Sequence, residues 1–317
     1  MGRIAVLKGG SSLERQVSLR SAARVEDALA RLGHQIVPID VGGDLVDRLQ
    51  AEEPDAAFIA LHGVGGEDGT VQELLEILGI PYTGSGVLAC MRSMDKVLSK
   101  HLLLDAGIPT PEFFAFNETA FKALGAAAVL PAMEERLDFP IVVKPAAQGS
   151  ALGIKFASTA ADVPGALVAA FSYDTRVLLE RYVRGRDLGV SVVEGAALPV
   201  VEAVPQEEEF YDFESRYEIG RTTFVCPAEL PEPITARAQA LAVATYDLLG
   251  CHGVARVDIM LEEATSELFV LETNVIPGMT DTSLLPQAAE AAGIAFEALV
   301  ERMLELAFER DAGRATV

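Results

Sequence analysis

Three features of the sequence predict a mixed α/β and α+β protein built in three domains. First, residues 1–88 alternate short apolar strands with amphipathic segments, the signature of a parallel sheet with crossover helices. Second, residues 89–185 hold a β-branched strand, "IVVKP", followed by a glycine-containing loop and further strand and helix segments. Third, residues 186–317 pass through two strands, a long polar loop, a helix, a strand pair and two closing helices. Half of the 317 residues are hydrophobic, enough to bury cores for two or three domains.

In the first domain "IAVLKGG", "QIVPIDV" and "AAFIAL" read as strands, with helices in "ERQVSLRSAARVEDALARLG" and "TVQELLEILG" and a short one between the second and third strands. Ligands of such sheets lie at the loops beyond the strand C-termini. Two polar glycine loops, "KGGSSLERQVS" and "LHGVGGEDGT", occupy those places. Glu14 and Ser18 sit there at the mouth of a helix, as a terminal charge and cap or as ligands, and His62 ends the third strand as a loop histidine. A helix is predicted from about Gly86 to Ala106, stopped by "GIPTP", and another around residues 160 to 172.

The formal charge of -22 argues against a broad nucleic-acid footprint, though a local basic cleft can still hold a nucleotide. Cys90, Cys226 and Cys251 are widely spaced and form no CxxC pair, so neither a disulfide framework nor a zinc site is indicated, and a reducing cytoplasm fits. The apolar stretch of "MGRIAVLKGG" is too short for a signal peptide, and no run reaches the length of a membrane span.

"LETNVIPGMT", residues 271–280, begins as the end of a buried strand and finishes in a turn. Alternation across a strand puts Glu272 and Asn274 on one face. The preceding strand is "GVARVDIML", and a hairpin turn centred near Thr265 sets Asp258 opposite Glu272. Two facing carboxylates repel unless a cation joins them, and hard oxygen donors suit magnesium. A solvated charge cluster is the alternative. Arg256 shares the face of Asp258, either as its salt-bridge partner or, with the Gly278 N–H, as a donor to a developing oxyanion.

Lys144 ends a strand ahead of a loop holding Gly149, Ser150 and Gly153, whose N–H groups can fold over phosphates while the lysine meets them as a point charge. The spacing is not that of a P-loop. Lys96 in "SMDKVLSK" reads by default as a solvated helix charge, and Tyr217 as a packed loop aromatic. Glu180 in "LLERYV" ends an apolar strand, where it can accept from an adenine amino group.

Taken in order, "GGSSLERQVSL", "IALHGVGGEDGTVQ", "GIPYTGSGV", "SMDK", "VVKP..QGS", "FYDFESRY", "RVDIML" and "LETN..PGMT..S" resemble the D-alanine-D-alanine ligases of the ATP-grasp superfamily over nearly the whole chain. The resemblance implies a three-domain ATP-grasp ligase. A Rossmann-like preATP-grasp domain at 1–88 would bind substrate, ATP would lie between a central subdomain at 89–185 and a C-terminal one at 186–317, and the polar loop 205–226 would be a lid. It implies ATP as co-substrate and two magnesium or manganese ions on Asp258, Glu272 and Asn274, with Glu272 bridging. Lys96 and Lys144 would contact phosphates, Glu180, Arg181 and Val183 would line the adenine slot, and Asp187 would take the ribose. Phe210, Arg216 and Met260 would complete the nucleotide site. The first D-alanine would meet Glu14, Val17 and His62, with Arg256 and Gly278 at its carboxylate; the second would meet Tyr217, Ser283 and Leu284. Glu14, Ser150 and Tyr217 match the family's hydrogen-bonded triad. The implied activity joins two D-alanines through an acyl phosphate for peptidoglycan precursor synthesis, in a cytoplasmic homodimer with no nucleic-acid or membrane partner.

Gln148 stands where the family commonly has Glu, Ala151 replaces a second Ser, Asp187 replaces a longer Glu, Arg216 replaces Lys, and "NVI" replaces a smaller polar run. None of these removes a metal ligand or a triad member. The competing expectations are a ligase joining D-alanine to D-lactate, D-serine or another D-amino acid, and an inactive nucleotide-binding regulatory protein.

Overall fold

The computed structural model describes residues 1–205 and 222–314. Its first sheet is parallel, in the order β2-β1-β3, from β1 (Arg3–Lys8), β2 (Gln35–Asp40) and β3 (Ala56–Ile59). The crossovers are α1 (Arg15–Arg31) and α2 (Leu45–Glu52), and α3 (Thr70–Leu78) follows β3. Alternation along β1 feeds two cores. Ile4 and Val6 pack towards α1, whereas Ala5 and Leu7 pack with Leu45, Leu49, Val71 and Leu75 of α2 and α3.

The predicted helix from Gly86 to Ala106 is two helices, α4 (Val87–Met94) and α5 (Lys96–Asp105). The break falls at Asp95, which leaves helical geometry (φ -85°, ψ 98°) and accepts the N–H groups of Val97 and Leu98 on its side chain. A carboxylate that caps a new helix offers the backbone an alternative to continuing the old one. Asp95 is further held by Arg176. The restart makes Lys96 the first residue of α5, with its backbone N–H on Ala146 O at 2.9 Å.

A second sheet, antiparallel and ordered β4-β7-β5-β6, holds β4 (Phe113–Asn117), β5 (Ile141–Pro145), β6 (Lys155–Ala157) and β7 (Arg176–Arg181). The alanine-rich stretch forms α6 (Glu118–Ala123) and α7 (Leu130–Leu137), and α8 (Val163–Phe171) stands where a helix was predicted. Val163, Ala166, Leu167 and Ala170 of α8 share a buried core with Ile141, Val143, Val177 and Leu179.

The third sheet is antiparallel, ordered β11-β10-β8-β12-β13 with β9 beside β8. Its strands are β8 (Gly185–Val193), β9 (Ala196–Ala197), β10 (Val201–Pro205), β11 (Thr222–Val225), β12 (Val254–Glu262) and β13 (Leu268–Asn274). The helix α9 (Glu232–Leu249) covers one face through Ala238, Ala242 and Tyr246. The closing helices α10 (Leu284–Ala291) and α11 (Phe296–Arg314) return to the first sheet, where Leu285, Val300 and Met303 share a core with Ile4, Leu29 and Phe58. No helix among the described residues is long and apolar enough to cross a membrane.

Asp258 does pair with Glu272, but not through the turn alone. The pairs Ile259 with Val270, Met260 with Phe269 and Leu261 with Leu268 centre the turn between Ala264 and Thr265, which in a regular ladder would place Leu271 opposite Asp258. A register shift between Asp258 and Ile259 inserts one extra residue in β13 and brings Glu272 across instead.

Candidate active site

Four polar side chains share one face of the β12–β13 hairpin, because residues directly opposite in an antiparallel pair point the same way. The register sets Arg256 against Asn274 and Asp258 against Glu272. Arg256 donates twice to Asp258, from Nε to Oδ1 at 2.6 Å and from Nη2 to Oδ2 at 2.8 Å. The salt-bridge reading of Arg256 is therefore present in the structure. Glu272 Oε2 lies 3.1 Å from Lys96 Nζ, and Asn274 Oδ1 accepts the N–H of Ile276 at 3.0 Å. Each carboxylate thus has a cation against it, and the solvated cluster is excluded for Asp258, which is buried.

Among the described residues no group of three His, Cys, Asp or Glu side chains is placed to hold a metal ion. The hairpin set is two carboxylates and a carboxamide, all oxygen donors on one face. That donor set fits magnesium, which takes few protein ligands and fills its shell with phosphates and water.

Lys96 is not a solvated charge: it is buried, and its ammonium also donates to Gln148 O at 2.5 Å. This bond uses the backbone of residue 148, so the Gln in place of Glu leaves it intact; the Gln148 side chain donates to Tyr173 O at 3.1 Å. A space lined by Lys96, Gln148, Gly149, Ser150, Glu272 and Asn274 lies beside the hairpin face.

A cavity of about 360 Å³ opens on the second and third sheets and collects Lys144, Glu180, Arg181, Val183, Asp187 and Met260, with Phe156 and Leu271 as apolar lining. The side chain of Glu180 does not stand ready for a ring amino group. It is 2% exposed, its Oε1 accepts from Lys144 Nζ at 2.6 Å, and its Oε2 pairs with Lys100 Nζ at 2.5 Å. Arg181 pairs with Glu262 at 2.6 Å and lies over the Phe269 ring.

A third cavity gathers Glu14, Val17, His62, Arg256, Gly278, Ser283 and Leu284, together with Asp258 and Asn274. Neither Glu14 nor Ser18 caps α1: Glu14 makes no side-chain cap bond, and Ser18 Oγ links Gly9 N at 2.8 Å to Ala60 O at 2.6 Å. Glu14 is buried and accepts a hydrogen bond from Ser150. Burial first, and then the nearby Glu67, push its carboxyl up to about 7. A Cβ at Gly149 would come 2.5 Å from Glu14 Oε1, so a side chain there would push the Glu14 carboxylate aside. His62 is satisfied on both nitrogens, with Nε2 3.1 Å from Ser21 Oγ and Nδ1 3.4 Å from Glu67 Oε1.

The turn carrying Gly278 is gripped from α1. Met279 N donates to Ser21 Oγ at 3.1 Å, and Arg24 Nη1 donates to Met279 O at 2.8 Å. Arg24 also pairs with Asp281 at 3.0 Å and lies over the Phe296 ring. Phe210, Arg216 and Tyr217, and most of the predicted lid, lie outside the described residues.

Sequence reasoning missed Lys100, Glu67, Ser21 and Arg24. Lys100 follows Lys96 by one helical turn in "KVLSK", amid apolar residues, and that spacing was its only signal. Glu67 stood in a polar glycine loop already marked as a ligand position.

The family model described as "D-ala D-ala ligase C-terminus" matches residues 102–305, and that described as "D-ala D-ala ligase N-terminus" matches residues 44–85. A D-alanine-D-alanine ligase from Syntrophotalea carbinolica is 46% identical over 302 residues, covering 95% of each chain. The chain belongs to the D-alanine-D-alanine ligase family. A second D-alanine-D-alanine ligase, from Moorella thermoacetica, is 43% identical over 310 residues, 97% of this chain and 99% of its own. The crystal structure of D-alanine-D-alanine ligase from Bacillus anthracis complexed with ATP superposes with a TM-score of 0.84 at 33% identity, covering 99% of this chain and all of that one. The three-sheet architecture is accordingly that of an ATP-grasp ligase, as predicted. Glu14, Lys96 and Lys100 fall outside both segments matched by the D-alanine-D-alanine ligase family models.

Proposed function

We propose that this protein joins two molecules of D-alanine to D-alanyl-D-alanine with conversion of ATP to ADP and phosphate, as its family membership supports. The observation that carries the reading is a shared wall. Arg256, Asp258 and Asn274 of the oxygen-rich hairpin face line the same cavity as Glu14, His62 and Gly278, so an amino acid held there lies beside the face suited to magnesium.

A carboxylate is a poor electrophile until its oxygen attacks the γ-phosphorus of ATP and becomes an acyl phosphate, with ADP leaving. Lys144, at the nucleotide cavity, and Lys96, beside Glu272, supply positive charge for that transfer. Asp258, Glu272 and Asn274 would hold magnesium, which when bound neutralises phosphate charge. Glu14 faces the ammonium of the first D-alanine. The amine of the second D-alanine then attacks the acyl carbon, phosphate departs, and the amine sheds its extra proton. Arg256 and the Gly278 N–H stabilise the oxyanion of that step. Loop 205–226 acts as the lid that keeps water from the acyl phosphate.

The division into residues 1–88, 89–185 and 186–317, a homodimeric state, a cytoplasmic location and a role in peptidoglycan precursor synthesis belong to the same proposal. Phosphate release from purified protein with ATP, magnesium and D-alanine alone, compared with D-alanine plus D-lactate or D-serine, tests it. Release with D-alanine alone and dipeptide as product is the expected result. No D-alanine-dependent release would overturn the reading in favour of a non-catalytic nucleotide binder, and a requirement for the second acid would reassign the product. Sedimentation of the same protein reads the oligomeric state.

A further inference from the structure

Lys100 is wholly buried in α5, yet nothing in the proposed reaction uses it directly. Its ammonium pairs with Glu180 Oε2 at 2.5 Å and donates to Thr110 Oγ1 at 2.5 Å. Thr110 passes a hydrogen bond on to Val270 O at 2.7 Å, in the strand that ends with Glu272 and Asn274. The other oxygen of Glu180 accepts from Lys144. One buried carboxylate therefore holds two buried ammonium groups.

A single lysine would neutralise Glu180. Burying a second ammonium carries a desolvation penalty that the shared carboxylate repays only in part, so stability alone does not account for the trio. Its position does. Lys144 lines the nucleotide cavity, whereas Lys100 stands behind Glu180, away from that cavity's lining.

We infer that Lys100 is a positioning residue for the nucleotide. It occupies one oxygen of Glu180, fixes that carboxylate beside Lys144, and leaves the trio with a surplus positive charge directed at the phosphates of ATP. Through Thr110 it also fixes the second sheet against β13, so the phosphate-binding lysine and the oxygen-rich hairpin face keep one spacing. Lys100 thus acts on ATP through Lys144 and has no part in holding D-alanine. The inference rests on the reading of Lys144 as a phosphate contact.

The test compares Lys100→Met, Thr110→Val, Thr110→Ser and Lys144→Met, and the double variant Lys100→Met/Lys144→Met, in the full chain. Both KM values are measured by phosphate release, and ATP affinity by calorimetry. Lys100→Met is expected to raise KM for ATP about tenfold while KM for D-alanine stays within about twofold. Thr110→Val should move KM for ATP the same way by about threefold, and Thr110→Ser, which keeps the hydroxyl, should restore it. The double variant should bind ATP no more weakly than Lys144→Met, because residues acting through one another are not additive. Equal shifts in both KM values, or additive losses in the double variant, would overturn the inference. Should Lys100→Met fail to fold, the Thr110 pair decides by the same KM split. Absence of D-alanine-dependent turnover in the unaltered protein would instead remove the functional reading, so the two failures are told apart.

Discussion

Asp258 faces Glu272 because β13 carries one residue more than its partner, and the bulge brings across a side chain that regular pairing would have turned to the other face. Glu272→Gln keeps the shape and removes the charge. Turnover is expected to fall at least about a hundredfold, with a raised magnesium requirement, since neutralising transferred phosphate is worth several kcal/mol. Rates across a magnesium titration check it; wild-type turnover at limiting magnesium would sink the ligand assignment.

Glu14 connects pH to stability and, on the proposed reading, to substrate binding. Its carboxyl rises from 4.5 to about 7, first through burial and then through Glu67. A folded-state value above the unfolded one means that its contribution to stability is complete below pH 4.5 and is lost as pH rises through about 7. Glu14→Gln should therefore be more stable than the parent at pH 8, by on the order of 3 kcal/mol, and equal to it at pH 4. Urea unfolding at the two pH values checks this. The ionised form is the one that attracts an ammonium, so KM for D-alanine should fall between pH 6 and pH 8 in the parent and stay flat in the variant, at about the midpoint that Glu14 sets.

The turn bearing Gly278 is anchored at Met279 by Ser21 and Arg24. Arg24→Ala should lower kcat by about tenfold with KM for ATP unchanged, because loosening the proposed oxyanion donor Gly278 would be felt in the chemical step and not in nucleotide binding. Steady-state kinetics with each substrate varied in turn separate the two; a shift confined to KM for ATP would contradict the anchoring role.

Asp95→Ala should destabilise the protein by about 1–2 kcal/mol through loss of the cap on α5, whereas Asp95→Asn, which still accepts, should lose less. Lys96 begins that helix, so KM for ATP should rise with the loss of the cap. Denaturant melts and kinetics on the same preparations make the comparison.

Local pattern carried much of this site. The period-2 strands placed Arg256 with Asp258 and Glu272 with Asn274, and strand-helix alternation announced the first sheet, whose loops hold Glu14 and His62. What local pattern could not supply was partners distant in the chain. Lys96 reads as a helix-surface charge until Gln148 and Glu272 fold over it, and Glu180 reads as an open acceptor until Lys100 and Lys144 arrive from two other elements. The split at Asp95 was missed because a long apolar period outweighs one capping residue on paper, although that residue gains two N–H donors and Arg176 in the fold.

Met279, Leu285, Val300 and Met303 complete the core that Ile4, Val6 and Phe58 begin. During synthesis, then, β1 and β3 lack part of their wall until α10 and α11 have been made. The cavity shared by Glu14, His62 and Gly278 is assembled only when the chain loops back on itself. A chain cut short before α10 would carry an open apolar face where Leu285, Val300 and Met303 belong.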